Sequence, residues 1–191
     1  VEQDENREAL REMIRAIDES SRAAGQLLDH AMVTFRTDHL EVQKLDLREM
    51  VFDLVENMHP VADLKDIVLD LENSSPLSIM GDGILIQNAV RNLIDNAIKY
   101  GPNGNKINVG AKLEKDNVIL WISDNGPGIP DSDKERVLER FTRLDISRNT
   151  QGTGLGLSLV NSSIKFHKGS ISLLDSNPNG LIVKLEIPKI N

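Results

Sequence analysis

Two neighbouring stretches in the second half of the chain alternate apolar and polar residues, and they constrain the fold more than any other feature. The apolar members are Ile107, Val109, Ala111, Leu113, Val118, Leu120 and Ile122. A period of two is that of a strand with one buried face. The polar segment 114–117 between the stretches predicts a hairpin turn, and hence an antiparallel pair. A sheet with one apolar face needs a second layer to cover it.

Helical spacing of apolar residues in three other segments supplies that layer. The segments are 47–58, 84–98 and 155–167. Asp46, with Glu49 three residues later, predicts the cap of the first helix, and Gly101 with Pro102 ends the second. A short helix is predicted near 132–139, and further strands at 67–71, 77–80, 170–174 and 181–187. The predicted class is α+β, a two-layer α/β sandwich: one mixed, mostly antiparallel sheet of about six strands, with three helices on one face.

The first forty residues differ from the rest of the chain. Apolar or small residues recur at intervals of three and four, at Leu10, Ile14, Ile17, Ser21, Ala24, Leu28, Ala31 and Phe35. This long, unbroken seam predicts a helix that packs in a bundle with another helix or another chain. The alternative is an amphipathic helix lying on its own domain. We therefore divide the chain into residues 1–40 and a domain at 41–191.

Composition excludes several functions. The net charge is −8 and aromatic residues make up 3% of the chain, whereas nucleic-acid binding needs basic surfaces and stacking rings. The chain has no cysteine, which excludes disulfides and thiolate metal sites. The sequence shows neither a signal peptide nor an apolar run of the ~20 residues that cross a membrane.

One face of the second predicted helix carries Asn92, Asn96, Lys99 and Tyr100, at helical offsets from one another. Carboxamide oxygens can bind Mg²⁺, which otherwise keeps waters and phosphate oxygens as ligands. A lysine supplies charge to phosphates. The pattern predicts a polyphosphate and magnesium site, and its alternative is a solvated helix face.

Two glycine-rich loops offer further ligand chemistry. The segment 124–130 directly follows a predicted strand, and the carboxylate of Asp124 could accept a hydrogen bond from the exocyclic amine of adenine; the alternative is a plain turn. The segment 152–158 opens a helix, so that its backbone amides could bind an anion. It is not a Walker loop, because no Gly-Lys-Ser/Thr follows, and a merely flexible loop is the alternative.

Between these loops, the segment 136–143 combines apolar and basic residues. Leu138 and Phe141 could anchor a mobile loop, while Arg143 and Arg148 reach phosphates. The alternative is a surface helix with ordinary charge.

In order and spacing these four segments resemble the boxes of the ATP-binding catalytic domain of sensor histidine kinases, within the Bergerat-fold ATPase superfamily. The asparagine box corresponds to 92–100, the first glycine box to 124–128, the phenylalanine box to 139–141 and the second glycine box to 152–157. The resemblance covers about residues 45–188. It implies the Bergerat fold, ATP and Mg²⁺ as ligands, and transfer of the γ-phosphoryl group to a histidine for relay to a response-regulator aspartate.

The resemblance also implies roles for single residues. Asn96 would hold Mg²⁺, Asp124 would read the adenine amine, and Lys99, Arg143 and Arg148 would support the transfer. The segment 143–151 would form a lid over ATP. The full implied ATP-binding set is Asn92, Asn96, Lys99, Tyr100, Asp124, Gly126, Gly128, Ile129, Arg143, Arg148, Gly152, Thr153, Gly154, Leu155 and Gly156.

The first forty residues resemble the second helix of the dimerisation and histidine-phosphotransfer hairpin. This implies a homodimer in the full-length protein, a response regulator as partner, and the cytoplasmic side of a membrane-anchored sensor as location. No nucleic-acid partner is expected. None of the histidines is followed by the family's acceptor motif, so we expect the acceptor to lie upstream of this sequence. The histidines are His30, His39, His59 and His167.

Two other functions remain to be weighed. Gyrase-like and chaperone-like ATPases of the same fold, and anti-sigma serine kinases, place a glutamate base four residues before the magnesium asparagine. Here that position is Asn92, whose amide cannot take a proton at neutral pH. The other alternative is a degenerate domain that binds nucleotide without transfer, or binds only a partner protein.

Overall fold

The computed structural model describes residues 13, 20, 31, 41–72, 75–144 and 153–189. Most of the predicted bundle helix at 1–40 therefore lies outside the described residues. The three described positions within it, Met13, Ser20 and Ala31, are all helical. The division into domains at residue 40 stays a prediction.

Seven strands form two sheets within the described residues. The strands are β1 (Gln43–Asp46), β2 (Val68–Leu71), β3 (Ser78–Gly81), β4 (Lys106–Glu114), β5 (Asn117–Ser123), β6 (Ser170–Asp175) and β7 (Leu181–Pro188). The main sheet has the order β2-β4-β5-β7-β6, in which only β2 and β4 run parallel.

The prediction of a single sheet is wrong, because β1 and β3 pair with each other in a separate antiparallel sheet. The sequence of β1, Gln-Lys-Leu-Asp, predicts a polar connection instead of a strand. Only one of its side chains, that of Leu45, is even half-buried, so the strand carries almost no alternation that could reveal it.

Register places the apolar residues of the main sheet on a common face. Val109 lies opposite Ile122, and Leu120 lies opposite both Ala111 and Leu185. These side chains are buried in one cluster with apolar residues of all three helices. Each fully buried leucine or isoleucine contributes about 1.5–3 kcal/mol relative to an exposed one. The predicted two-layer arrangement, with helices on one face, is confirmed.

The three helices are α1 (Leu47–Asp63), α2 (Gly83–Tyr100) and α3 (Gly156–Phe166). The predicted cap of α1 is present: Asp46 Oδ1 accepts hydrogen bonds from the amides of Arg48 at 3.0 Å and Glu49 at 3.2 Å. Asp82 caps α2 in the same way. Each such cap contributes about 1 kcal/mol.

The predicted short helix near 132–139 is wrong. Two single 3₁₀ turns, Asp131–Asp133 and Arg136–Leu138, replace it. Val137 is their only buried residue, so the segment lacks an apolar stripe long enough to hold a full helix against the core.

A buried histidine connects the ends of two helices. His167, which follows α3, accepts a hydrogen bond at Nε2 from the Asp82 amide at 3.0 Å. Its Nδ1 donates to the Ser163 carbonyl at 2.7 Å, so the ring is the Nδ1–H tautomer. This bond fixes the start of α2 against the end of α3. Among the described helices, none is long and apolar enough to span a membrane.

Candidate nucleotide-binding site

The two asparagines of α2 face the first residue of α3. A β-carbon at Gly156 would lie 3.3 Å from Asn92 Oδ1 and 3.5 Å from Asn96 Nδ2. Asn92 Nδ2 donates to the Asn88 carbonyl at 2.9 Å, which leaves its Oδ1 directed toward α3. Two carboxamides therefore lie against the start of α3, at a point where residue 156 has no side chain.

The C-terminal turn of α2 holds a lysine and a tyrosine together. Lys99 Nζ lies 3.2 Å from Tyr100 Oη and 4.8 Å from the centre of the tyrosine ring. This cation–π geometry keeps the ammonium at the end of the helix. Lys65, from the segment after α1, donates to the carbonyls of Ile98 at 2.9 Å and Lys99 at 3.1 Å, and so satisfies the end of α2.

Asp124 leaves the sheet directly after β5. Its Oδ1 accepts a hydrogen bond from the Gly126 amide at 2.7 Å, which folds the loop back on the carboxylate. Partial burial raises the pKa of the Asp124 carboxyl above its ordinary value, and backbone hydrogen bonds from Gly126 and Leu181 oppose this rise. A carboxylate has about four acceptor positions, so further positions stay available to a ligand amine.

Close backbone approaches shape the rest of this loop. Gly128 has a φ of +71°, and a β-carbon on it would lie 3.1 Å from the Gly180 carbonyl oxygen. Gly180 itself lies so close to the Asp124 carbonyl that a side chain there would overlap it. Ile129 packs against the main core. The turn before β7 therefore supports the loop from behind.

The second glycine-rich loop closes on the segment after the 3₁₀ turns. Gly154 has a φ of +74°, and a β-carbon on it would lie 2.7 Å from the Thr142 carbonyl oxygen and 2.9 Å from the Phe141 carbonyl carbon. Backbone rather than side chain makes this contact, since the side chain of Phe141 is 67% exposed. The prediction of Phe141 as an anchor is therefore wrong, whereas Leu138 does pack against the core.

The remaining residues of the predicted ATP-binding set differ in how far they are buried. Arg143 and Thr153 are half-buried. Leu155 is 1% exposed and packs with Leu85 and Leu159, so only its backbone faces the loop. Arg148 and Gly152 lie outside the described residues.

A surface depression of about 570 Å³ lies elsewhere, and no predicted site residue lines it. Three carboxylates line it, those of Asp63, Asp66 and Asp70. Their charge would repel a polyphosphate. The residues around α2 remain the better candidate for a nucleotide.

The model of the family described as histidine kinase-, DNA gyrase B-, and HSP90-like ATPase matches residues 81–191. The chain belongs to this family. The matched range begins at the last residue of β3 and contains α2, both glycine-rich loops and α3. Every residue predicted to bind ATP thus falls within the ATPase domain.

Relatives in sequence are sensor histidine kinases. The sensor-like histidine kinase SenX3 of Mycolicibacterium smegmatis is 32% identical over 180 residues, which cover 92% of this chain and 47% of that protein. The adaptive-response sensory kinase SasA of Thermosynechococcus vestitus is 37% identical over 165 residues, covering 81% of this chain and 42% of that protein. The chain spans less than half the length of each.

Solved structures of the same kind share the ATPase fold. The nucleotide-free catalytic domain of the histidine kinase ThkA superposes with a TM-score of 0.71 at 28% identity, over 78% of this chain and 96% of that domain. The mycobacterial sensor histidine kinase MprB gives a TM-score of 0.67 at 28% identity, over 77% of this chain and 97% of that chain. The predicted histidine-kinase ATPase fold is confirmed.

Sequence reasoning missed residues that support this candidate site from the side. Lys65, Asn105 and Gly180 contact the end of α2 or the loop at Asp124. Each follows or lies within a turn, where lysine, asparagine and glycine are common. No local pattern therefore distinguishes them from ordinary turn residues.

Proposed function

We propose that this chain is the ATP-binding kinase part of a sensor histidine kinase, and that it transfers the γ-phosphoryl group of ATP to a histidine. The observation that carries the proposal is the arrangement along α2. The carboxamides of Asn92 and Asn96 face Gly156, and the loop with the Asp124 carboxylate packs beside the C-terminal end of the same helix. From residue 92 to residue 101, α2 extends about 13 Å at 1.5 Å per residue.

The carboxamides of Asn92 and Asn96, beside the N-terminus of α3, suit phosphates with a magnesium ion. Gly156 keeps side-chain atoms away from both carboxamides, because a β-carbon there would lie 3.3 Å from Asn92 Oδ1. Asn96 would hold Mg²⁺ through its side-chain oxygen, in the way hard cations take oxygen ligands. When bound, the ion neutralises charge on the phosphate oxygens.

The proposal assigns positive groups of the chain to the phosphates. The N-terminus of α3 presents backbone amides and the positive end of the helix dipole. Lys99 adds an ammonium at the end of α2, and we assign Arg143 and Arg148 to the phosphates as well. The Asp124 carboxylate would accept a hydrogen bond from the adenine amine, whereas guanine presents an oxygen there and would be repelled.

In the proposed reaction a histidine ring nitrogen attacks the γ-phosphorus in line with the leaving oxygen of ADP. The new bond joins phosphorus to nitrogen, the bond from the γ-phosphorus to the bridging oxygen breaks, and the imidazole passes its N–H proton to the acidic residue that follows the acceptor histidine in the family's motif. Positioning and electrostatics supply most of the catalysis of such transfers. The phosphoryl group would then pass to an aspartate of a response regulator.

We further propose that the acceptor histidine is none of the four in this chain. His167 is 5% exposed, and both of its ring nitrogens are engaged in hydrogen bonds. His59 lies 3.6 Å from Glu56 on α1, and His30 and His39 fall outside the described residues. The native protein would be a membrane-anchored homodimer whose kinase part is cytoplasmic, with the hairpin helices forming its dimer.

Hydrolysis of ATP is the second function considered. It would require a base near the γ-phosphate, and the position that carries it in related ATPases is Asn92. The Asn92 side chain is a neutral amide whose nitrogen is bonded to the Asn88 carbonyl. An amide cannot accept a proton from water at neutral pH. This chemistry favours phosphoryl transfer over hydrolysis.

Calorimetry with ATP and GTP tests the binding part of the proposal. The chain should bind ATP and discriminate against GTP. Asp124→Ala should weaken ATP binding by roughly ten- to a hundred-fold, since a hydrogen bond to a charged group contributes about 1.5–3 kcal/mol. Asp116→Ala, which changes an exposed aspartate in the β4–β5 turn, is the matched control and should have no effect. Equal affinity for ATP and GTP would exclude Asp124 as the adenine-reading residue.

A further inference from the structure

Asn105 is a buried polar residue between the end of α2 and the first residue of β4. Its side chain is 2% exposed. Its Oδ1 accepts two hydrogen bonds, from the Lys106 amide at 2.8 Å and from the Asn125 amide at 3.0 Å. The second bond reaches across twenty residues to the loop that contains Asp124.

Three consecutive amides of that loop each have a different kind of acceptor. The Asp124 amide donates to the Leu181 carbonyl of β7 at 2.9 Å. The Gly126 amide donates to the side chain of Asp124 at 2.7 Å. Only the middle amide, that of Asn125, is held from the side of α2, and its acceptor is Asn105.

The amide group of Asn105 fills the space between the end of α2 and this loop. A β-carbon at Gly101, the residue after α2, would overlap Asn105 Nδ2, so Gly101 makes room for the side chain. A β-carbon at Gly126 would in turn lie 3.7 Å from Gly101 Cα. Gly101 has an ordinary φ of −68°, so space rather than backbone conformation requires glycine there.

Asn105 keeps this place despite an unfavourable feature. Within the described part of the chain, its Nδ2 atom is buried and contacts no acceptor. A buried donor without a partner destabilises a fold. The hydrogen bonds that Oδ1 accepts are therefore what an apolar residue buried at this position could not provide.

We propose that Asn105 is a positioning residue for adenine recognition: through the Asn125 amide it fixes the Asp124 carboxylate relative to α2. The inference rests on the proposed function, because it concerns the same ATP site. Asn105 touches the loop rather than the nucleotide. It sets the separation between the group that reads the base and the helix that carries the phosphate-binding residues, so that one ATP molecule reaches both.

A double-mutant cycle on the whole chain tests this inference, with calorimetry of ATP and GTP as the measurement. Asn105→Ala should weaken ATP binding about 3- to 10-fold, the range expected for one hydrogen bond, and should lower the preference for ATP over GTP. In the Asp124→Ala background the same substitution should have no further effect, since residues that act as a unit are not additive. Asn103→Ala, at an exposed position of the same turn, is the matched control and should bind ATP like the wild type.

A merely structural role would give a different result. Asn105→Ala would then lower the melting temperature without changing the preference for ATP, or its effect would add fully to that of Asp124→Ala, and either result would overturn the inference. If Asn105→Ala does not fold, Asn105→Leu replaces it, because leucine has a similar branched shape but accepts no hydrogen bond from the Asn125 amide. That variant should show the same loss of ATP preference, and an unchanged preference would overturn the inference too. A wild-type chain that binds no ATP would instead refute the proposed function itself.

Discussion

Asn92 Oδ1 lies 3.3 Å from the position that a β-carbon at Gly156 would occupy. The distance links two segments that are far apart in sequence, the middle of α2 and the start of α3. It also shows that the first residue of α3 packs closely against α2, where a side chain would crowd Asn92.

Gly156→Ala is therefore expected to separate stability from binding. The methyl group should crowd the carboxamides of Asn92 and Asn96 and weaken ATP binding at least tenfold. The melting temperature should change little, because Gly156 is the first residue of α3 and a small shift of the Asn92 side chain accommodates the methyl group. Gly83→Ala, at the first residue of α2, is the matched control and should leave ATP affinity unchanged. A Gly156→Ala variant that binds ATP as tightly as the wild type would show that no phosphate lies beside Gly156.

Asp124→Asn is expected to change stability in a pH-dependent way. Burial holds the folded-state pKa of Asp124 above its ordinary value of 3.8, so the folded chain binds this proton more tightly than the unfolded chain. The stability that this group contributes is present below the unfolded pKa and is lost as pH rises through the folded pKa. Without ligand, Asp124→Asn should therefore raise the melting temperature relative to the wild type at pH 7.

The advantage of the Asp124→Asn variant should diminish as the pH is lowered, when the wild-type carboxyl is protonated as well. Thermal unfolding of both proteins between pH 4 and pH 7 provides the comparison. A difference in melting temperature that is constant with pH would show that Asp124 does not titrate differently in the folded chain.

Lys65→Met is expected to loosen the end of α2. The substitution keeps the apolar stem but removes the ammonium that donates to the Ile98 and Lys99 carbonyls. Two hydrogen bonds from a charged group are lost, which should lower the free energy of unfolding by about 1.5–3 kcal/mol. Chemical denaturation measures this change.

Lys112→Met is the matched control for Lys65. Lys112 forms only a surface pair with Glu114 at 3.4 Å, and such pairs contribute about 0–1 kcal/mol. Equal losses for the two variants would mean that Lys65 contributes no more than an ordinary surface charge.

Much of the fold could be predicted because it depends on local patterns. Alternation at 107–122 predicts the hairpin of β4 and β5, and Asp46 precedes the helix that it caps. These signals are contained within a few residues of sequence. The four boxes could be recognised for the same reason, since each is a short contiguous segment, and the assignment of their residues to ATP stays a prediction.

The remainder depends on contacts between distant segments. β1 is a strand because it pairs with β3, and its own sequence has no alternation. Asn105 is buried because Gly101 leaves space and because the Asn125 amide needs an acceptor. Neither condition can be read from the turn in which Asn105 lies.

Incubation of this chain with γ-labelled ATP is expected to leave no acid-labile, base-stable label on the protein. The buried His167 cannot reach a phosphate, and no histidine here is followed by the acceptor motif. A longer native protein that includes the proposed acceptor helix should be labelled, and Asn96→Ala in that protein should abolish the label. Labelling of this chain at His30 would show that our proposal places the acceptor on the wrong helix.

Titration calorimetry of ATP with and without Mg²⁺, on the wild type and on Asn96→Ala, tests the central claim most directly. The wild type should bind ATP more tightly with Mg²⁺, whereas Asn96→Ala should lose at least tenfold in affinity with Mg²⁺ and little without it. Asn88→Ala, one turn before Asn92 on the same helix, is the matched control. Equal ATP affinities of the wild type and the Asn96→Ala variant in Mg²⁺, or no binding of ATP by the wild type, would contradict the assignment of this site.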